Sequence, residues 1–514
     1  MARGSFFSKK KKKDSLNKNK KNFDIAIGED LEKNLEDIKT MLDSPDDLIV
    51  RQVSKDNHLY AIVYISGLVE MDFVQNNILK NLQTNTREFP DKANSLLDLF
   101  YQEMIAITEI KKAKSLDNIS YAILSGNSVL FVDGIDSVLI MGTAGGEKRK
   151  IQEPISESLI RGPREGFVES INTNTVILRR YLRDPNLRFK TYETGRRSKQ
   201  KLVLSYVTGI VNPEIVKEVN RRLETIDLDT LPESGYVEQW IEDSFLSPFP
   251  QLLNTERPDK VAAALNQGKV AILLDGTPFV LIAPVTLSDT LQSPEDYYER
   301  WSVSSLIRIL RFFGVSISLF LPALYIALVS YQPGMIPTKL TFSIAATREG
   351  VPFPAVIEAI AMGVTMELLR EAGARLPQSI GQTIGIVGGL VIGEAAVQAG
   401  VVSPIMVIVV ALTAIASFTY PSYSTAIAFR VIRFGLMVAA GIFGLYGIIL
   451  FYIGIMIHMV NLKSFGIPYS TPFTPSFMDD FKDLVIRAPI TMLKKRPLYM
   501  KPKDEIRIDK EGEE

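Results

Sequence analysis

The feature that most constrains this chain is the stretch from Phe312 to Val460, in which charged side chains nearly vanish. A lipid hydrocarbon core about 30 Å thick needs roughly 20 apolar helical residues per crossing, because no water is present there to satisfy backbone groups. Three runs are long enough: Phe312 to Thr338, Leu376 to Phe429 interrupted only by Glu394, and Phe434 to Leu462. The stretch therefore predicts a polytopic α-helical membrane domain.

A conservative count gives four spans. They are Phe312 to Tyr331, Ile380 to Ala399, Val402 to Tyr420, and Phe434 to Val460. A fifth segment, Pro352 to Leu376, is apolar but contains charged residues, among them Glu358 and Glu367. An acidic side chain at the centre of a lipid-facing helix costs a few kcal/mol, so these two acids should be buried against protein or face water. The fifth segment is accordingly re-entrant, interfacial or packed against other helices.

Two topologies compete for the membrane domain. No apolar stretch follows the basic start of the chain, so no signal peptide is predicted and the front domains should be cytoplasmic. Four crossings return the basic Lys494-Lys495-Arg496 segment to the cytoplasmic side but place Arg430 and Arg433 outside. Five crossings place the two arginines on the cytoplasmic side and the basic segment outside. We favour four crossings, with Pro352 to Leu376 re-entrant or lateral, because two charges outside cost less than a whole basic tail.

Composition excludes several classes of function. Lys plus Arg equals Asp plus Glu at 58 each, which argues against a nucleic-acid-binding protein. Cysteine is absent and the only histidines are His58 and His458, so neither a thiol catalyst nor a Cys or His metal cluster can be built. No grouping of nucleophile, base and orienting residue is found either. We therefore expect no enzyme, no catalytic residues, no metal and no cofactor.

The chain divides into five parts. Residues 1–22 are a basic tail that we expect to be disordered, and the division continues with a first cytoplasmic α/β subdomain at 23–150, a second at 151–300, the membrane domain at 301–465 and a cytoplasmic tail at 466–514. The lysines of the basic tail suit either a solvated arm or attraction to anionic lipid headgroups. The fold class is thus α+β followed by a membrane bundle of four to five spans.

The two cytoplasmic subdomains repeat one pattern. Tyr64 to Val69 is echoed 142 residues later by Tyr206 to Val211, and each match places a Gly between a strand and a helix. A second match pairs Ala122 to Gly126 with Ala271 to Gly276 at the longer offset of 149. Ser120 to Leu124 is predicted as a strand and Ser95 to Lys112 as a helix. A duplicated α/β unit explains both matches, although short matches of this kind also arise by coincidence.

A glycine-rich helix inside the membrane domain is the candidate pore element. Gly381, Gly385, Gly388, Gly389 and Gly393 allow close helix packing, and lining a pore in a symmetric assembly is the alternative interpretation. The pore alternative also accounts for Glu394 and Gln398, which lie one turn apart. The candidate gate residues on the same face are Ile384, Val387 and Val391.

Basic residues before the membrane domain suggest two further roles. Trp301 with Arg308 and Arg311 has the aromatic and basic flank typical of a cytoplasmic membrane interface. Arg161 and Arg164 should lie at the boundary between the two subdomains, where removal of their charge should impair assembly. Arg179, Arg180 and Arg183 suit ion pairs between subdomains or a face near the membrane.

Several longer motifs extend over both the polar and the apolar parts of the chain. They include Glu157 to Ser170, Leu178 to Pro185, Ser244 to Gln251, Leu274 to Pro278, Asp296 to Tyr298, Arg348 to Pro354 and Leu369 to Gly373. Together they resemble one membrane-protein family, the A subunits of the GerA-type germinant receptors of endospore-forming bacteria. The resemblance covers roughly Asp47 to Tyr469.

The resemblance implies a subunit of a nutrient receptor in the spore inner membrane, which acts with a transporter-like B subunit and a lipoprotein C subunit. It also implies homo-oligomers that conduct ions, in contact with membrane lipids. The residues alone leave a secondary transporter and a non-conducting scaffold open, and they do not separate a receptor subunit from an A-type paralogue.

Overall fold

The computed structural model describes a front half built on two β-sheets and a back half built on helices. The described residues are 26–43, 45–55, 58–80, 101, 109–145, 153–154, 156–157, 159–375, 391 and 393–508. The predicted basic tail at 1–22 lies outside them, as does most of the helix predicted at Ser95 to Lys112.

The first α/β unit contains one antiparallel five-stranded sheet. Its strands are β1 Leu48–Lys55, β2 His58–Ile65, β3 Ile110–Ala113, β4 Ser128–Val132 and β5 Val138–Met141. They lie in the order β1-β2-β4-β5-β3. The helices begin with α1, Leu31–Leu42, in which Asp30 caps the N-terminus and Leu31, Leu35 and Ile38 share the buried face. The other helices are α2 Met71–Phe73, which continues as a π-helical segment Val74–Leu79, and α3 Leu116–Leu124.

The second α/β unit contains a second antiparallel sheet. Its strands are β6 Leu187–Thr194, β7 Gln200–Val207, β8 Leu253–Thr255, β9 Val270–Leu274 and β10 Val280–Ala283. They lie in the order β6-β7-β9-β10-β8. The helices are α4 Ile171–Tyr181, α5 Pro213–Leu223, α6 Ser234–Ile241 and α7 Pro258–Asn266. In α5, Asn212 caps the N-terminus, Pro213 occupies the first turn, and Ile215, Val219 and Leu223 are buried at helical spacing.

The two units repeat each other in detail, in agreement with the predicted duplication. Both sheets follow the same strand order relative to the chain. Gly67 and Gly209, with φ of 80° and 93°, occupy equivalent turns in the left-handed region that favours glycine. The N–H of Leu31 donates to Asp133 Oδ1 at 3.2 Å, and the N–H of Ile171 donates to Asp275 Oδ1 at 3.1 Å. The same contact therefore ties the first helix of each unit to the same hairpin turn.

One of the two predicted sequence matches is wrong. Ser120 to Leu124 lies in α3 rather than in a strand, and Ala122 to Gly126 is therefore the end of a helix. The counterpart of Ala271 to Gly276 is instead Val129 to Gly134, which keeps the offset of 142 found for the first match. Ile110–Ala113, at the end of the helix predicted to Lys112, is also a strand.

The back half is a helical bundle joined to the second unit. Two of its helices are long and apolar enough to cross a membrane, by length and composition: Trp301–Ser330 and Tyr423–Asn461. The described residues thus give fewer long apolar helices than the predicted four to five spans, and most of Ile380 to Ala399 lies outside them. Two short helices connect the second unit to the bundle, α8 Leu287–Thr290 and α9 Glu295–Tyr298. The bundle helices are α10 Trp301–Ser330, α11 Thr338–Arg348, α12 Ala355–Arg375, α13 Gly393–Gln398, α14 Pro404–Ser417 and α15 Tyr423–Asn461.

Helix α15 folds back on itself at Gly444, so the prediction of one span from Phe434 to Val460 is wrong. Gly444 has a non-helical backbone, with φ of 60° and ψ of −139°. The rings of Phe429 and His458 lie 5.7 and 6.1 Å from the ring of Phe249, although a straight helix would separate the two residues by about 44 Å. Tyr423 to Phe443 and Leu445 to Asn461 are therefore antiparallel arms of a helical hairpin.

The bundle has a near end beside the second α/β unit and a far end away from it. Phe429 and His458 mark the near end, where His458 Nε2 also lies 2.9 Å from Ser247 Oγ. The far end is marked by the turn at Gly444, which lies against Tyr331 and Gln332 just after α10. Arg430 and Arg433, which follow Phe429, consequently lie toward the near end, on the same side of the bundle as the second α/β unit.

Helix α12 runs from the far end to the near end and is not re-entrant. Val356 lies against Gly441, close to the far turn. Arg370 Nη2 donates to Ser417 Oγ at 2.9 Å, at the near end of α14. The prediction that Pro352 to Leu376 is re-entrant or lateral is therefore wrong. Its charged residues belong to a helix that traverses the bundle.

The chain leaves the bundle on the side where it entered. Phe465, Ile467 and Met500 are buried in the apolar core of the second unit. The Ser464 hydroxyl donates to the Gln251 carbonyl at 2.7 Å, and the Lys503 N–H donates to the Ile210 carbonyl at 3.0 Å. We call residues 462–508 the C-terminal segment. Because it packs on the second unit, the chain traverses the bundle an even number of times.

Candidate functional site

A buried polar cluster joins the second unit, the first bundle helix and the C-terminal segment, and we call it the Asp296 junction. Asp296 lies in α9, directly before α10, and is 3% exposed. Arg308 Nε donates to Asp296 Oδ2 at 3.0 Å, and Arg311 donates to both carboxylate oxygens at 2.8 and 3.0 Å. Arg308 and Arg311 lie three residues apart on α10, so the same helical face presents both to the carboxylate.

The C-terminal segment completes the Asp296 junction from the other side. Arg308 Nη1 donates to Asp483 Oδ1 at 2.8 Å, and the Tyr297 hydroxyl donates to Asp483 Oδ2 at 2.7 Å. Arg487 Nη1 donates to the main-chain carbonyls of Asp296 and Glu299 at 2.9 and 3.0 Å. Charge-assisted hydrogen bonds thus hold the C-terminal segment to α9 and α10, which lie far earlier in the chain.

The electrostatics of the Asp296 junction favour the ionised pair. Burial on its own raises the pKa of Asp296, but the hydrogen bond and charge of Arg311, with the charge of Arg308, outweigh it and hold the pKa below its ordinary value. Burial also raises the pKa of Tyr297, and the neighbouring Asp483 carboxylate adds to the rise. Asp296 therefore stays charged and Tyr297 stays a hydrogen-bond donor at neutral pH.

This arrangement corrects the predicted role of the flank before the first span. Trp301 is exposed as an interfacial anchor requires, but Arg308 and Arg311 are buried against Asp296 and do not face lipid headgroups. Sequence reasoning missed Asp483 and Arg487, which it placed in a separate tail. Two arginines on an otherwise apolar helix were a usable signal, since buried cations require an acidic partner.

The two acids predicted to avoid lipid are both paired inside the bundle. Glu358 is buried, with Arg348 Nη2 2.8 Å from its Oε1 and the Ser403 N–H and hydroxyl donating to its Oε2 at 3.0 and 3.1 Å. Glu367 lies nearer the second unit and is bound by Arg430 and Arg433. A cavity of about 20 Å³ adjoins Glu367, enough space for one water molecule.

The candidate pore residues are only partly described. Ile384, Val387, Gly381, Gly385, Gly388 and Gly389 lie outside the described residues. Val391, Glu394 and Gln398 are exposed on the single chain, and Gln398 Nε2 donates to Glu394 Oε1 at 3.1 Å. Gly393 is buried, with space for a Cβ 3.6 Å from Val407. Glu394 and Gln398 therefore belong to a surface that a partner or water can reach, whereas Gly393 packs against Val407.

Arg161 and Arg164 are not the residues that the structure places between the two α/β units. Both are largely exposed, Arg161 near Glu299 at 3.8 Å and Arg164 near Glu153 at 3.2 Å. The first unit is instead bound by Arg179, whose Nε and Nη2 donate to the two carboxylate oxygens of Asp47 at 3.0 Å each. Arg188 adds a contact to Asp43 at 3.0 Å.

Within the described part of the chain, no group of three or more His, Cys, Asp or Glu side chains is arranged to hold a metal ion. The Asp296 junction instead connects α9, α10 and the C-terminal segment mechanically, because all three meet at one buried residue, Asp296.

Comparison with known proteins gives relatives over nearly the whole chain. It is 50% identical to the spore germination protein GerLA of Bacillus cereus over 91% of this chain and 95% of that protein. It is 43% identical to the spore germination protein KA of Bacillus subtilis, over 95% of this chain and 90% of that protein. It is also 43% identical to the uncharacterized membrane protein YfkQ of Bacillus subtilis, over 93% and 92%.

A solved structure also matches, the N-terminal domain of the A subunit of the Bacillus megaterium spore germinant receptor GerK3. It is 35% identical, covers 50% of this chain and 96% of that chain, and has a TM-score of 0.40. The profile of the family described as Bacillus/Clostridium GerA spore germination protein matches residues 36–499. The protein therefore belongs to the GerA family of spore germination proteins.

Proposed function

We propose that this chain is the membrane subunit of a nutrient-responsive spore germinant receptor, and that it oligomerises to form a ligand-gated cation channel. The names of its relatives support the role in germination, and the two apolar helices support membrane association. The observation that carries the proposal is the Asp296 junction, because it joins a large α/β region rigidly to the first bundle helix.

Opening would begin in the α/β region or in a partner bound to the bundle. The buried ion pairs of Asp296 with Arg308 and Arg311 do not slide easily, so a tilt of the second unit moves α10 as a rigid body. In a ring of subunits, Glu394 and Gln398 would face water, and repeated carboxylates would favour cations. Ile384, Val387 and Val391 would form the hydrophobic gate.

The same proposal includes the assembly and its location. We place the chain in the spore inner membrane with the α/β units in the cytoplasm, in a complex with a transporter-like B subunit and a lipoprotein C subunit. The B subunit would bind the nutrient, and this chain would conduct ions in response. No nucleic acid, cofactor or catalytic reaction is part of the proposal.

The test is ion conduction by the reconstituted full-length chain. Ile384→Ser, Val387→Ser and Val391→Ser should each increase ion leak and cause germination without nutrient, because a polar side chain hydrates the gate. Ile408→Ser, at an exposed apolar position of α14, is the matched control and should not. Gly385→Leu should abolish assembly. Unchanged ion flux and nutrient dependence in all three gate variants would contradict the proposal and favour helix packing.

The same measurement separates the alternatives. A channel passes ions down a gradient, a secondary transporter couples a substrate to them in fixed ratio, and a scaffold does neither. An A-type paralogue that works without its own ligand-binding partner is a specific alternative, because YfkQ, a relative as similar as protein KA, has a name that assigns no germination role. Copurification from spore membranes with a permease-like chain and a lipoprotein would support the receptor, and recovery with neither would favour the paralogue.

A further inference from the structure

Three arginines converge on one carboxylate at the near end of the bundle, and we call these four residues the Glu367 cluster. Arg370 Nη1 lies 3.2 Å from both carboxylate oxygens of Glu367. Arg430 Nη1 donates to Oε2 at 3.0 Å, and Arg433 Nη2 donates to Oε1 at 2.9 Å. The cluster therefore carries two positive charges more than its single acid can balance.

The rest of the bundle sequence does not remove this surplus. No Asp or Glu occurs between residues 376 and 393, whatever the position of that segment. Glu358 is paired with Arg348, and Glu394 accepts from Gln398. Glu371 and Arg375, four residues apart in the sequence, cancel each other in net charge. The surplus is therefore local to Glu367 and the three arginines that bind it.

Burial makes the surplus costly. Arg433 is 5% exposed, and an uncompensated charge with little access to water loses much of its favourable solvation free energy. Arg370 Nη2 donates to Ser417 Oγ and Arg430 Nε donates to the Ala426 carbonyl, so some of the remaining N–H groups have neutral acceptors. Neutral acceptors satisfy hydrogen bonds but leave the net charge in place.

The open edge of the Glu367 cluster has the character of a lipid headgroup site. Arg370 and Arg430 each stack on an aromatic ring at 5.6 Å, on Phe418 and Tyr423 respectively. Both rings are exposed, at 75% and 66%, and lie at the near end of the bundle. Aromatic rings beside basic side chains are typical of the headgroup level of a membrane protein. The 20 Å³ cavity is too small for a phosphate, so an anion would bind at this edge and not inside.

We propose that Arg370 and Arg430 bind a phosphate group at the near end of the bundle, with the buried Arg433 adding positive charge behind them, and that this phosphate is carried by an anionic phospholipid headgroup or is free in solution. Guanidinium groups match phosphate oxygens in geometry and charge. Basic pockets between helices on the cytoplasmic side are a known form of anionic lipid site. The lipid source rests on the membrane placement proposed above, whereas the phosphate chemistry does not depend on it.

The experiment measures phosphate-group binding to the purified full-length chain in detergent. Native mass spectrometry would count bound phosphatidylglycerol, and thermal unfolding would be followed against phosphatidylglycerol, phosphatidylcholine and sodium phosphate. We expect retention of phosphatidylglycerol over phosphatidylcholine. Stabilisation by sodium phosphate alone would assign free phosphate as the source. Binding of neither anion, or equal binding of both lipids with no effect of phosphate, would overturn the proposal.

Variants distinguish a built site from general surface charge. Arg430→Gln should weaken phosphatidylglycerol binding by about tenfold or more, since it removes charge-assisted hydrogen bonds. Arg300→Gln makes the same charge change at an exposed position just before α10 and should have little effect. Equal loss in both variants would overturn the proposal.

Removing the negative charge of Glu367 should have the opposite effect on anion binding. Glu367→Gln removes the carboxylate that competes for the three arginines, so binding of phosphatidylglycerol or sodium phosphate should become tighter than in the unmodified chain. Arg370→Gln removes another of the three charges and should also weaken phosphatidylglycerol binding, which keeps the test available if Arg430→Gln fails to fold. Weaker anion binding by a folded Glu367→Gln variant would contradict the site.

Discussion

Gly447 lies directly against the main chain of Ala439, on the opposite arm of the α15 hairpin. A Cβ at position 447 would fall well inside van der Waals contact of the Ala439 carbonyl oxygen. Backbone cannot move aside as the end of a flexible side chain can. The close approach of the two arms on either side of Gly444 therefore depends on glycine at this position.

Gly447→Ala should open the helical hairpin. Overpacking of this kind costs about 1–3 kcal/mol, and here the clash is with backbone. We expect a lower unfolding temperature of the purified full-length chain and a weaker germination response. Gly454→Ala is the matched control, because nothing lies within 4 Å of a Cβ at that position. Equal stability of the two variants would contradict the hairpin packing.

Asp296→Asn should separate the second unit from the bundle. Neutralising this carboxylate leaves Arg308 and Arg311 buried without their counter-charge, which costs about 3–5 kcal/mol for a buried pair. Thermal unfolding and protease sensitivity of the C-terminal segment would measure the effect. Asp227→Asn, which breaks an exposed ion pair with Arg196, should leave both unchanged. A stable Asp296→Asn protein with an intact germination response would refute the role of the junction.

Arg179→Lys should loosen the contact between the two α/β units while keeping the charge. The planar guanidinium binds both oxygens of Asp47 and also donates to the Leu187 carbonyl at 3.2 Å, which an ammonium cannot reproduce. We expect a loss of about 1–3 kcal/mol. Arg164→Gln, at an exposed position, serves as the control in the same unfolding experiment. A larger loss of stability in Arg164→Gln than in Arg179→Lys would instead support the prediction that Arg164 lies at the boundary between the two units.

Glu238 should make stability depend on pH. Burial, with smaller contributions from the Glu242 and Glu233 carboxylates, raises the pKa of Glu238 from 4.5 to about 7. The folded state then holds a proton that the unfolded state has released, so the contribution of this residue to stability falls as pH rises from about 4.5 to about 7. Glu238→Gln should flatten this slope and raise the unfolding temperature at pH 8. An unchanged pH profile would show that the carboxyl titrates normally.

The repeated α/β region was largely predictable, and the wrong assignment was confined to one short segment. The Gly67 and Gly209 turns stand out because a strand, a glycine and a helix follow in the same order in both units. Ser120 to Leu124 was assigned to a strand because a short apolar run next to a turn fits either element. Only the sheet order shows that Gly134, and not Gly126, is the counterpart of Gly276.

The bundle was harder to predict for a physical reason. An uncharged run such as Phe434 to Leu462 indicates a lipid-compatible environment but not where a helix reverses, and the polar break that normally marks a turn is missing at Gly444. The Asp296 junction was missed because Asp483 lies in a region without regular secondary structure, far along the chain from Arg308. Nothing in the local sequence there indicates which cation it binds.

The Asp296 junction also determines how the protein carries mechanical load. Arg308 belongs to the helix by which the chain enters the bundle, and Arg487 to the segment that follows its exit; both bind the same residue. A force along α10 or along the C-terminal segment is therefore transmitted to the other through Asp296. The first unit has no such double attachment among its described contacts, since Arg179 and Arg188 fasten it to the second unit alone. Among the described contacts, a force on the first unit therefore reaches the bundle through the second unit.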